Sequence, residues 1–160
     1  MTWQSSIDVK DRIFGTLVYL LALFSALPFG GFLFRQFPAL QVIELPLLPV
    51  FAIYSFLGPF AGLIIFAALY FGVVRNERVG HFIRFNTLQS ILIGIALSIF
   101  GLIWSILNPL LASSLLLRET LANVVFLSVL AATGFGIFQA AQGKYPQLPV
   151  FTEAVEAQVR

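Results

Sequence analysis

The sequence contains no cysteine and few charged residues. Charged residues make up 10% of the 160-residue chain, whereas an average soluble domain carries about 25%. Without cysteine, the chain cannot form disulfides, thiolate zinc sites, iron–sulfur clusters or a cysteine nucleophile. The net charge of +2 is small and scattered, which removes the basic patch that nucleic-acid binding requires. We therefore expect no nucleic-acid partner.

Histidine occurs once, as His81. Metal-dependent hydrolysis uses clustered histidine and carboxylate ligands, and a Ser-His-Asp arrangement would have to recruit this one histidine. No glycine-rich phosphate loop follows a strand, because no strand is predicted. The sequence therefore predicts no catalytic, cofactor-binding or metal site and a protein that is not an enzyme. We interpret His81 as an interfacial side chain that pairs with Glu77 or with a backbone carbonyl.

Hydrophobic residues, in contrast, make up 59% of the chain, and the mean hydropathy is +0.97. Four apolar blocks are long enough to cross a bilayer, which takes about 20 residues each. The prediction is a single all-α membrane domain over residues 1–160, folded as an integral membrane four-helix bundle with a kink at Pro59. The predicted spans are residues 13–34, 52–74, 85–107 and 121–141, with an interfacial segment at 35–51 and a solvated tail at 142–160.

The distribution of lysine and arginine predicts the orientation. Seven of the nine fall on one side of the predicted membrane and two on the other. The seven are Lys10, Arg12, Arg75, Arg78, Arg84, Lys144 and Arg160, and the two are Arg35 and Arg118. By the positive-inside rule, both termini and the connection between the second and third spans face the cytosolic or stromal side.

The third span has one polar face. On a helical wheel, small and polar side chains share one sector and large aliphatic side chains lie opposite. The polar seam consists of Asn86, Thr87, Ser90, Gly94, Ser98, Gly101, Ser105 and Asn108; the opposite side consists of Leu88, Leu92, Ile95, Ile99, Ile103 and Ile106. Membrane helices associate through small residues and hydrogen bonds, so we expect the seam to contact protein and the opposite side to contact lipid. The seam is interpreted first as packing and second as a surface for a partner or a polar substrate.

The four predicted spans contain no Asp, Glu, Lys, Arg or His. Pumps and most ion pathways place ionisable groups at membrane depth, so the chain makes a poor pump by itself. Four helices cannot enclose a wide aqueous pore, so a channel would require several copies of the chain or other subunits. A homo-oligomer therefore remains an open alternative.

Residues 73–91, VVRNERVGHFIRFNTLQSI, combine three arginines, a glutamate and the single histidine between two apolar blocks. The stretch is similar to the signature of the twenty-kilodalton Tic family, named for the translocon at the inner envelope of chloroplasts. The residues that carry the resemblance are Arg75, Asn76, His81, Phe82, Arg84, Phe85, Asn86 and Gln89. The resemblance extends over nearly the whole chain. It implies a four-span membrane protein that works in preprotein import as a proposed channel constituent with other subunits.

The resemblance also implies a location and partners. The short amino terminus does not look like a transit peptide, which favours the cyanobacterial or plastid-encoded branch. The membrane would then be the cyanobacterial plasma or thylakoid membrane, or the plastid inner envelope. Expected partners are the lipid bilayer, other membrane subunits and a translocating polypeptide. Gly94 stands where the resemblance implies an acidic residue in many relatives, and its effect on a polar path is left open.

Two other functions remain open from the sequence alone. The first is a scaffold or assembly factor that binds other membrane proteins through the small-residue faces. The second is a small-solute transporter, which the absence of intramembrane charge disfavours.

Overall fold

The structure is a computed structural model and describes residues 7–159. In this part of the chain every regular element is a helix and there is no strand. Four helical stretches are long and apolar enough to span a membrane. They are the first span Val9–Gln36, the second span Pro38–Val74, the third span His81–Leu110 and the fourth span Leu115–Ala141. The predicted all-α, four-helix membrane fold is confirmed.

The first span lies at the centre of the bundle. Asp8 begins it with a capping box, in which its carboxylate accepts from the Val9 amide at 2.8 Å and its own amide donates to Asp11 at 3.3 Å. Along the span, Ala22 and Ala26 are buried against the third and fourth spans. The span consists of α-helices Val9–Leu17, Tyr19–Ala26 and Gly31–Gln36, with a 3-10 turn at Leu27–Gly30.

The second span is irregular along its whole length. Its segments are a 3-10 helix at Pro38–Leu47, α-helices at Leu48–Leu57 and Ala61–Leu69, a 3-10 turn at Gly58–Phe60 and a π-helical turn at Tyr70–Val74. Gly58 adopts a φ of +71°, which is why a residue without a side chain stands before Pro59. The kink predicted at Pro59 corresponds to the interruption of the second span at Gly58–Phe60.

The segment at 35–51 is the one predicted to lie at the membrane interface. It is helical, and the α-helix of the second span begins at Leu48 rather than near residue 52. Pro49 lies in the first turn of that helix, where its missing amide has no partner in any case. Proline therefore starts the helix here instead of delaying it.

Most residues of 142–159 are exposed, but the expectation of a fully solvated tail is wrong, since Pro146, Leu148, Val155 and Val159 are buried. A short helix at Phe151–Gln158, here called the tail helix, folds back onto the bundle. Val155 and Val159 are completely buried, and Leu148 is 7% exposed. The reason is the helical spacing of the two valines, which places them on one face despite the nearby charges. Arg160 lies outside the described residues.

One end of the bundle gathers the beginning of the first span, the 73–91 motif and the start of the tail. A side chain at Gly143 would come within 2.9 Å of the Arg12 guanidinium group. At the same end, Nδ1 of His81 lies 3.0 Å from the hydroxyl of Tyr145. The segments that carry most of the lysine and arginine residues therefore share one end, and the compartment that this end faces stays a prediction.

Candidate functional site: the 73–91 motif and a lateral cleft

Asn86, at the carboxyl end of the 73–91 motif, forms a buried bridge between the first and third spans. The hydroxyl of Tyr19 donates to Oδ1 of Asn86 at 2.9 Å, and Nδ2 of Asn86 donates to the Phe82 carbonyl at 2.8 Å. Both Tyr19 and Asn86 are fully buried. Such a bond fixes the register of two helices because an alternative arrangement would leave both polar groups unpaired.

Two further side chains of the third span reach other segments. Nε2 of Gln89 donates to the Pro146 carbonyl at 3.1 Å and so fixes the start of the tail. The hydroxyl of Ser90 donates to the Val18 carbonyl of the first span at 2.6 Å. Oε1 of Gln89 and the hydroxyl oxygen of Thr87 are buried without a hydrogen-bond partner in the described part of the chain.

Polar residues in the connection before the third span and in its first turn hold the end of the second span. Nε of Arg84 donates to the Val74 carbonyl at 2.8 Å. Asn76 donates through Nδ2 to the Gly72 carbonyl at 3.2 Å and accepts from the Arg78 amide at 3.0 Å. These bonds satisfy carbonyls that a helix end leaves free. Arg84 and Asn76 therefore have a structural role besides any effect on orientation.

His81 contacts a different partner from the one predicted. Its hydrogen bond goes to the Tyr145 hydroxyl instead of Glu77 or a carbonyl, and the Tyr145 ring also makes edge contacts with Phe82 and Phe85 at 5.2 and 5.0 Å between centroids. Partial burial, with a smaller contribution from the charge of Asp11, raises the pKa of Tyr145. Sequence reasoning missed Tyr145 because it treated the tail as solvated.

The structure divides the polar seam into two parts. Asn86, Thr87 and Ser90 are buried, so this part of the seam contacts protein within the chain. Leu88 is also buried, so its predicted lipid contact is wrong; the reason is that the tail helix covers it.

The rest of the seam lies beside open space. No neighbouring segment among the described residues comes within 4 Å of a side chain built at Gly94 or Gly101. Ser98 and Ser105 are exposed and donate only to carbonyls of their own helix, at 2.9 and 2.7 Å. Asn108, at the far end, accepts from Nε of Arg118 at 2.8 Å. The expectation of protein contact along the whole seam is therefore wrong within the chain. On the opposite side Ile95, Ile99, Ile103 and Ile106 are exposed, as a lipid-facing surface requires.

The open part of the seam forms one wall of a lateral cleft. A cavity of about 240 Å³ lies between the first three spans, and a second of about 310 Å³ continues it towards Trp104; both include Ser25 and Ser98. The lining of the first cavity includes the polar residues Ser25, Tyr54, Ser90 and Ser98 and the glycines Gly62 and Gly94. The lateral cleft thus presents hydroxyl groups and bare backbone beside apolar side chains, and neither lining contains a residue with a formal charge at neutral pH.

The fold and the lateral cleft define a class: a membrane protein with four helical spans, one of them loosely packed, and an uncharged polar surface beside it. A family model described as "Chloroplast import apparatus Tic20-like" matches residues 8–155. The chain belongs to the Tic20 family. The resemblance found in the 73–91 motif is confirmed.

Several relatives are similar along nearly the whole chain. A "Tic20 family protein" of Synechocystis sp. is 47% identical over 100% of this chain and 99% of its own length. "Protein TIC 20-v, chloroplastic" of Arabidopsis thaliana is 34% identical over 98% of this chain and 74% of its own length. "Tic20 family protein Ycf60" of Porphyra purpurea is 33% identical over 99% and 80% of the two chains. The protein is therefore an integral membrane protein of a family that belongs to the chloroplast import apparatus and has a cyanobacterial relative.

Proposed function

We propose that this protein is a non-enzymatic subunit of a protein-translocating membrane complex and that the lateral cleft contributes one wall of the polypeptide path. Partner subunits, or further copies of the chain, complete the path. The seven lysine and arginine residues counted above orient the termini towards the cytosolic or stromal side.

The observation that carries the proposal is the open half of the polar seam. If small residues served only to pack this chain, the first or second span would cover Gly94, Ser98 and Gly101 as the first span covers Asn86. Instead, the cleft leaves hydroxyl and backbone groups accessible at membrane depth. Polar or irregular surface at this depth is tolerated where it contacts protein or lines a cavity.

The dimensions of the lateral cleft support a shared path. Its two cavities, of about 240 and 310 Å³, continue into each other, and each is open on one side. The chain alone therefore offers a groove and no enclosed channel. A passing polypeptide needs a second wall from another subunit.

A photocrosslinking amino acid at position 98 tests the proposal during arrested translocation of a preprotein. We expect Ser98 replaced by the crosslinker to label the arrested chain. The matched control is Ile103, which is 47% exposed on the same span but lines neither cavity. We expect it to label lipid or resident subunits only.

Two outcomes contradict this assignment. If position 98 labels only resident membrane proteins, the scaffold or assembly function replaces the translocation path. If positions 98 and 103 label the arrested chain equally, the contact does not depend on the lateral cleft.

The orientation has a separate test. Because the chain has no cysteine, single cysteines at Arg78 and Arg118 give unambiguous labelling with a membrane-impermeant maleimide. We expect the cysteine at position 78 to react only from the cytosolic or stromal side and the one at position 118 only from the other side. Reaction of both from one side contradicts the four-span topology.

A further inference from the structure

The second span is attached to the bundle mainly at its two ends. Near its start, Leu47 and Val50 are buried together with Leu23 of the first span. At its end, Val74 is buried against the third span. Between them, the helix Ala61–Leu69 packs mainly against other parts of the same span. Only 11% of the most apolar window of this span is buried, compared with 39% in the first span.

The free middle of the second span forms one side of the lateral cleft. Gly62 of this middle part lines the cavity opposite Ser98 of the third span. Tyr54, which precedes it and packs on Phe24 of the first span at 4.3 Å between ring centroids, lines the same cavity. The span is interrupted at Gly58–Phe60 and again at Tyr70–Val74. Interruptions with proline or a π-turn lack part of the regular hydrogen-bond ladder and are the places where helices bend. The width of the lateral cleft therefore depends on what holds the end of the span.

The tail helix holds that end together with Arg84. Val155 of the tail helix and Val159, which directly follows it, form one buried cluster with Val74 of the second span and Phe85 and Leu88 of the third span. The end of the second span packs directly on the third span here, and the tail helix covers that contact. Without the tail helix, the apolar surface of Val74, Phe85 and Leu88 would lose its cover.

The tail consists of a fixed start and a detachable helix. The start is held by the bonds from Gln89 to Pro146 and between His81 and Tyr145. The tail helix follows Val150, which is 87% exposed and has a φ of +75°, a conformation that a β-branched residue rarely adopts. An isolated helix shorter than about 12 residues is marginal in water, so this eight-residue helix depends on its docking. Undocking relieves the backbone of Val150 and unfolds the helix in one step.

We propose that the tail helix is a latch that sets the width of the lateral cleft. Docked, it holds the end of the second span against the third span and keeps the cleft narrow. Undocked, it uncovers Val74, and the part of the second span before Tyr70 moves outward about the two interruptions while the Arg84 bond keeps the Val74 carbonyl on the third span. The proposal concerns the geometry of this chain and goes beyond the proposed function, since it holds whether or not a polypeptide enters the cleft.

A spin-label distance across the bundle tests the latch. The full-length chain, free of native cysteine, receives labels at Leu63 of the second span and Leu102 of the third span, which are 66% and 70% exposed. Pulsed electron paramagnetic resonance in lipid nanodiscs then measures the distance between the labels. We expect Val155→Asn to shift the distribution to longer distances, by more than the width of the parent distribution. Ala157→Asn, which introduces the same residue at an exposed position of the tail helix, leaves it unchanged.

A second measurement removes the tail helix only after the protein has folded. A protease site inserted between Pro149 and Val150 of the Val155→Asn variant allows cleavage in the nanodisc, with loss of the helix confirmed by mass. A longer distance after cleavage supports the latch even if Val155→Asn alone has no effect. If Val155→Asn has not lengthened the distance and complete removal of the helix leaves it unchanged as well, the proposal is overturned, and misfolding cannot explain the result because the same sample is measured before cleavage.

Discussion

The third span is packed on nearly all sides over residues 82–90 and is open on its polar side from Gly94 to Ser105. Both parts have small or polar side chains on the seam: Asn86, Thr87 and Ser90 in the first, and Gly94, Ser98, Gly101 and Ser105 in the second. In the first part, the first span and the tail approach closely and use the small residues for packing. In the second part, the second span stays away and the seam residues form a surface. The comparison shows that a small-residue seam permits close packing, whereas the neighbouring helices decide where packing occurs.

The largest loss of stability is expected where a side chain added to a glycine would overlap a buried neighbour. A side chain at Gly136 of the fourth span would lie 2.7 Å from the ring of Tyr19, which is fully buried and bonded to Asn86. Gly136→Val should lower the free energy of unfolding by about 1–3 kcal/mol through overpacking. Gly134→Val is the matched control, because no neighbouring segment of the described chain lies within 4 Å of that position. Denaturation in mixed micelles measures both, and equal losses would contradict the close packing at Tyr19.

The second-largest loss of stability is expected from breaking the buried hydrogen bond between Tyr19 and Asn86. Asn86→Leu leaves the Tyr19 hydroxyl unpaired, and we expect a loss of about 1–2 kcal/mol in the free energy of unfolding. Tyr19→Phe in the same background removes that unpaired group and should recover part of the loss. Equilibrium unfolding of the two single variants and the double variant gives the coupling energy. If the effects simply add, the bond does not join the two spans.

The hydroxyl groups of Ser90 and Thr87, both in the packed part of the third span, should contribute differently to the free energy of unfolding. Ser90 donates to the Val18 carbonyl, so Ser90→Ala should cost about 0.5–1.5 kcal/mol in the free energy of unfolding. The Thr87 hydroxyl is buried without a partner among the described residues, and Thr87→Val, which keeps the shape, should change stability by less than about 0.5 kcal/mol or raise it. Thermal unfolding of the two variants side by side checks the ranking, and the reverse ranking would contradict these hydrogen bonds.

The four spans could be predicted from the sequence because hydropathy and charge act locally. Lysine and arginine flank the apolar blocks, and the structure places helices at all four. The helical wheel of the third span also identified Asn86 and Ser90 as protein contacts, since side-chain direction in a helix follows from spacing alone. Predicting the spans and the direction of these side chains does not require knowing which helices pack against each other.

The lateral cleft and the tail could not be predicted in this way. Whether Ser98 is covered depends on the distance of the second span, which arises from its contacts at Leu47 and Val74 at either end. The tail helix contains two glutamates, and its charge concealed the pairing of Val155 with Val159 on one face. A helical wheel over residues 151–159 would have shown that face, but its site on Val74, Phe85 and Leu88 depends on the tertiary fold.

The smallest effect expected on the free energy of unfolding comes from glycine-to-alanine substitutions. Its sign should differ between the packed part and the open part of the polar seam. Gly94→Ala adds a methyl group to open space and should raise the free energy of unfolding by up to about 1 kcal/mol, because alanine favours a helix over glycine. Gly15→Ala faces the packed part, where the methyl group would lie 2.9 Å from the Phe82 ring, and it should lower stability. Unfolding of both variants in lipid nanodiscs measures the difference. If Gly94→Ala instead destabilises as Gly15→Ala does, another segment covers the cleft in the folded protein, and the open half of the third span is a packing face after all.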